Sequence, residues 1–157
     1  MSAQKITRII AFAAAASFAA LIPAPVIGVV SISAAERKGE LHVTKDCPGN
    51  TFVGPWEFCT IKTSNFGRIK VNSRVYYVDP PNFELGLQDS AVVLDAGNGN
   101  RAIGRCTVDF ATGLGLCTFS DGTGRFAGFR ARIQVTPPAD DTDYWHWDGT
   151  YSFGEPD

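Results

Sequence analysis

The side chains of this 157-residue chain that could do chemistry are four cysteines, two histidines, and the arginines, tyrosines and carboxylates set among apolar stretches. Cys47, Cys59, Cys106 and Cys117 are even in number, which in an oxidising compartment reads as two disulfides. Three connectivities are open. The spacing favours Cys47–Cys59 and Cys106–Cys117. No metal site is expected: there is no C-x-x-C, and only His42 and His146 could add nitrogen ligands.

The other motifs are sparse. Gly97-Asn98-Gly99-Asn100 lacks the Lys-Ser/Thr that a phosphate loop requires, so no nucleotide cofactor is expected. No G-x-S-x-G elbow occurs. Asp140, Asp141 and Asp143 form an acidic loop, read as a solvated turn in preference to a loose Ca²⁺ site. Tyr76 and Tyr77 must point to opposite faces of a strand, so one of them can line a cavity. Arg130 and His146 sit on the polar phase of two alternating segments. Each faces water on the ordinary reading, or a cavity if the barrel is inverted there.

The elements that position these residues read as strands. After Glu36 no helical period persists over 11 or more residues. Candidate strands are 41–45, 56–63, 67–73, 75–78, 91–94, 102–110, 114–119, 126–135 and 145–153, with 67–78 alternatively one bent strand. Turn residues separate them at 79–82, 95–100, 120–124 and 137–140. Pairing Cys106 with Cys117 sets Val108 against Gly115, Phe110 against Gly113 and Gly104 against Phe119. In 126–135, Ala127, Phe129, Ala131, Ile133 and Val135 share a face. In the last strand, Trp145, Trp147, Gly149, Tyr151 and Phe153 do. About eight strands without a covering helix predict an all-β barrel or sandwich.

The N-terminal region has another purpose. Lys5 and Arg8 precede an apolar run from Ile9, and Ser33-Ala34-Ala35 supplies small residues before Glu36. That order predicts a signal peptide over 1–35 and a mature domain over 36–157, secreted or periplasmic. An uncleaved anchor is the alternative, but Pro23 and Pro25 break its helix. Cleavage removes Lys5 and Arg8, leaving 12 basic against 16 acidic residues, net −4. This balance argues against nucleic acid and anionic membranes as partners.

Gly122-Thr123-Gly124-Arg125-Phe126-Ala127-Gly128-Phe129-Arg130-Ala131 resembles the G-T-G-[KR]-F-x-x-A-R-G segment of dirigent proteins. A similar segment occurs in bacterial proteins of the allene oxide cyclase-like barrel superfamily. Gly104-Arg105-Cys106-Thr107 and Leu116-Cys117-Thr118-Phe119 resemble strand segments of its small secreted bacterial members. The resemblance implies a single antiparallel eight-stranded β-barrel with an apolar cavity. Arg130 matches the arginine of the segment, although Phe129 and Ala131 depart from it. The family implies that an arginine and acidic residues hold substrate. Asp95, Asp109, Glu84 and Asp148 are candidate acids, none of them fixed by a motif. No match to the plant cyclase's own active-site pattern is present.

Three functions follow. The first is a secreted barrel binding a small apolar or aromatic molecule, with Arg130, Tyr77, Asp95 and His146 as candidate contacts. The second, implied by the resemblance alone, is an isomerase, cyclase or dirigent-like protein that steers a bound substrate. The third is an interaction barrel with a filled interior. Side-chain volume inside the barrel discriminates the third from the other two.

Overall fold

The computed structural model of the protein describes residues 37–48, 54–139 and 144–154. The assigned leader and the acidic loop at 140–143 lie outside the described residues. Eight strands close into an antiparallel barrel in chain order. They are β1 (Lys38–Asp46), β2 (Glu57–Ser64), β3 (Arg74–Tyr77), β4 (Leu87–Asp95), β5 (Arg101–Asp109), β6 (Gly115–Thr123), β7 (Phe129–Thr136) and β8 (Tyr144–Phe153). β8 pairs with β1 and removes both sheet edges.

Alternation sets the faces. On β7, Phe129, Ala131, Ile133 and Val135 are buried while Arg130, Arg132 and Gln134 are exposed. Trp147 on β8 is buried, and Tyr151 and Phe153 pack on the same core. The register around the second disulfide follows the sequence reading: Cys106 faces Cys117, Val108 faces Gly115 and Gly104 faces Phe119. Phe110 and Gly113 instead lie in the turn, where the Gly113 amide donates to the Asp109 carbonyl. Both disulfides are present, with Cα atoms 4.5 Å apart for Cys47–Cys59 and 4.1 Å apart for Cys106–Cys117.

Two elements differ from expectation. Residues 67–73 are turns and not a strand. The Ile69 amide bonds back to Phe66 and the Ser73 amide to Lys70, and Asn72 takes a positive φ of 69°. This loop places Phe66 and Ile69 as plugs at one end of the barrel. Residues 120–123, expected as a turn, continue β6, and the chain reverses at a 3-10 turn over Gly124–Phe126. Gly124 and Gly128, with φ of 59° and 72°, adopt the left-handed conformations that this reversal needs.

Gly149 has a different role. Its inward position lies against β7, where an added Cβ would sit 2.1 Å from the Arg132 carbonyl oxygen. Backbone cannot give way as a side-chain tip can. Gly149→Ala is expected to cost more than about 2 kcal/mol, read as a lowered midpoint in urea unfolding with unchanged slope.

The two barrel ends differ in chemistry. One end is closed by aromatic rings. Phe66 stacks on Tyr151 at 4.2 Å between centroids, and Phe129 meets Phe126 and Phe153 at 5.3 Å each. The other end is where β1, β3, β5 and β7 finish. Exposed apolar residues stand around it: Trp56, Phe83, Leu85, Phe110, Leu114 and Tyr144. All six lie in the connections or strand termini of that rim.

Candidate functional site

One buried charge-bearing group stands out. Lys45 is the penultimate residue of β1, in the inward phase set by Leu41 and Val43. It is only 2% exposed. Its Nζ donates to the Tyr77 hydroxyl at 2.5 Å and lies 3.9 Å from Sγ of Cys59. The centroids of the Trp147 and Tyr77 rings are 4.8 Å and 5.0 Å from Nζ. Tyr77 is the last residue of β3 and also faces inward, 2% exposed. Trp147 reaches the group from β8, where it pairs with Val43 of β1 and Val135 of β7.

The electrostatics follow from this enclosure. Among the described residues no carboxylate forms an ion pair with Lys45. Glu57 alternates onto the inward face of β2 and pairs in register with Tyr77, but it stays at the half-buried rim. Burial without a counter-charge disfavours the ammonium, and pulls the Lys45 amine down to about 7. The same burial pushes the Tyr77 phenol up, so it stays protonated at neutral pH. A neutral amine and a protonated phenol in contact form a nucleophile or base beside an acid.

Among the described residues three buried side-chain polar atoms lack a partner: Trp147 Nε1 and Arg125 Nε have no acceptor, and Gln88 Oε1 has no donor, while Gln88 Nε2 donates to the Asp79 carbonyl at 2.9 Å. A buried polar atom without a partner carries a cost of ~1–3 kcal/mol. Such atoms tend to be retained where a ligand or water completes them.

The four residues singled out from the sequence are not brought together. Tyr77 alone lines the interior. Arg130 is exposed on the outer face, because Phe129 and Ala131 take the inward positions of β7. There it borders an open groove of about 680 Å³ with Lys38, Glu40, Arg132 and Tyr151. Asp95 ends β4, where it accepts from the Gly97 amide at 2.8 Å and pairs with Arg101 at 3.0 Å. It shapes the β4–β5 turn. His146 is half-buried on the outer face of β8, between Thr44 and Thr136. A role for Arg130, Asp95 or His146 inside the barrel does not fit these positions.

Of the other acids, Asp109 caps its turn by accepting from the Ala111 and Thr112 amides. Asp148 Oδ1 accepts from His42 Nδ1 at 2.8 Å on the outer face. That contact and Glu40 raise the exposed His42 imidazole above its ordinary value. Glu84 is exposed in the β3–β4 connection. Among the described residues no cluster of three or more His, Cys, Asp or Glu could hold a metal ion. No helix among them is long and apolar enough to cross a membrane.

Lys45 was the residue missed from the sequence. Its signal was present: Leu41-His42-Val43-Thr44-Lys45 alternates, and lysine occupies the apolar phase. Comparison with protein-family models, with curated proteins and with solved structures finds no match to the chain.

Proposed function

We propose that the protein is an exported barrel that binds a small apolar or aromatic molecule through the polar centre at Lys45 and Tyr77. The observation that carries this reading is a buried amine with no acidic partner among the described residues, held against a phenol and an indole. A purely structural core would gain stability from an apolar side chain there. Keeping the lysine makes sense when a ligand supplies a counter-charge that the described residues do not. The apolar rim formed by Phe83, Leu85, Phe110 and Leu114 lies at the same end and suits an apolar ligand body. Two disulfides fit an oxidising compartment, and secretion or periplasmic export is part of the proposal. Kinship with the allene oxide cyclase-like barrels is part of it too, supported by the closed eight-stranded architecture.

Two observations favour other readings. The amine–phenol contact is an acid–base pair, which an isomerase or cyclase would use. The interior is occupied by Trp147, Phe126, Phe129, Leu41, Ile61 and Leu94, which favours a filled interaction barrel.

The test is calorimetry with trans-cinnamate, cinnamaldehyde and cinnamyl alcohol, which share an aromatic body and differ in the polar end. Binding of cinnamate is expected with wild type and with Arg130→Ala within about twofold, and its loss in Lys45→Met. Product analysis of the same mixtures tests turnover. Loss of binding in Arg130→Ala alone would move the site to the outer groove. No binding of any probe would leave the filled interaction barrel.

A further inference from the structure

We infer that Lys45 captures aldehydes or ketones as a reversible imine, with Tyr77 moving the protons, and this rests on the ligand site proposed above. The geometry carries the inference. Nζ of Lys45 and the Tyr77 hydroxyl are in direct contact at 2.5 Å, so an atom attacked by the amine lies within reach of the phenol. No carboxylate among the described residues locks the amine as an ammonium. The Trp147 ring and the Cys47–Cys59 disulfide wall the amine with apolar or soft surface. Imine formation expels water, and a dry enclosure favours it over hydrolysis. The depressed basicity of the amine supports the same conclusion, because the neutral form is present near pH 7.

The position also suits a carbonyl ligand. Lys45 is one residue from the end of β1, and Tyr77 ends β3, so both stand just inside the rim. The rim side chains Phe83 and Phe110 are exposed and lie 5.9 Å apart between centroids. An aromatic or unsaturated body can rest there while its carbonyl end points inward.

The step balances without an oxidant or reductant. The Nζ lone pair forms a bond to the carbonyl carbon, and the carbonyl π pair moves to oxygen. That oxygen takes the Tyr77 proton, and the phenolate takes a proton from nitrogen, giving a carbinolamine. Tyr77 then protonates the carbinolamine hydroxyl, which leaves as water as the C=N bond forms. The phenolate removes the remaining N–H proton. One amine and one carbonyl give one imine and one water.

The experiment uses the mature protein with cinnamaldehyde and sodium cyanoborohydride at pH 7. Hydride reduces any imine to a stable secondary amine, read as a mass gain and located by peptide mapping. A single adduct on Lys45 is expected, ahead of Lys38, Lys62 and Lys70. Tyr77→Phe, checked for folding by circular dichroism, is expected to slow adduct formation at least tenfold, while Arg130→Ala on the outer face leaves the rate within about twofold. Lys45→Met, checked for folding by circular dichroism, is expected to give no adduct at that position and no preference among the others.

The outcomes separate the two readings. If cinnamate binds wild type and not Lys45→Met, yet no Lys45 adduct forms, the imine is overturned and the site stands. If adducts spread over the surface lysines and Lys45 is unmodified, the imine is likewise overturned. If no probe binds and no adduct forms, both fail. An unchanged adduct rate in Tyr77→Phe overturns the proton-moving role of the phenol.

Discussion

Lys45→Met is expected to make the barrel more stable at pH 7 by a few kcal/mol while abolishing ligand binding. The two side chains are close in volume, so the core need not rearrange. What changes is the cost of holding an ionisable amine in a dry interior. In the unfolded chain the amine keeps its ordinary basicity, and in the barrel it is pulled down to about 7. From about pH 7 to about pH 10 the unfolded chain therefore holds more protons than the folded one, and stability rises with pH across that window. Below it both states are protonated and the penalty is present in full. Above about pH 10 Tyr77 acts in the opposite direction, because its phenol ionises in the unfolded chain and resists ionising in the barrel. Urea unfolding from pH 6 to 10 checks this. Wild type should show a rising limb, and Lys45→Met should lose it. A destabilised Lys45→Met protein with the limb intact would mean that the amine is a structural asset.

The second large effect concerns the staples. Replacing Cys106 and Cys117 together by alanine is expected to cost about 3 kcal/mol, from the chain entropy of a loop this short. The two residues are directly opposed on β5 and β6 and fully buried, so alanine leaves little polar residue behind. For a domain of this size that is roughly a 10 °C drop in melting temperature. Scanning calorimetry with and without the double substitution reads it directly. Lysine adds a feature to the other pair. Cys59 Sγ is 3.9 Å from Lys45 Nζ, so reduction would place a thiol beside the amine. A nearby ammonium favours thiolate, and the pair would then compensate each other.

How much of this was readable beforehand depends on the residue. Cys106 and Cys117 were legible because a short hairpin leaves one sensible register, and the glycines opposite Val108 and Phe119 fit only that register. The faces of β7 and β8 were legible because alternation is strict there. Residues 67–73 were not, because Ile69 and Val71 alternate like a strand while Asn65, Gly67 and Asn72 turn the chain. Tyr77 was legible only as one of two neighbours, and β3 resolved which one faces in. Arg130 was misleading as a cavity residue. Its motif is about the turn at Gly124 and Gly128, and alternation then puts the side chain outside. Lys45 was overlooked because charged residues are almost never fully buried unless paired. Only its place in the buried phase of β1, in step with Leu41 and Val43, marks it.

On the proposed reading, Lys45 is a buried amine with no counter-charge among the described residues, and a ligand carboxylate supplies one. The most direct measurement is the NMR titration of its side-chain ¹³Cε, assigned by comparison with Lys45→Met, with and without trans-cinnamate. The expected midpoint is near 7 in the free protein, with an upward shift of at least about one pH unit when the carboxylate binds. A midpoint at ~10.4, the ordinary lysine value, that does not respond to cinnamate would rule out both the desolvated amine and its pairing with the ligand.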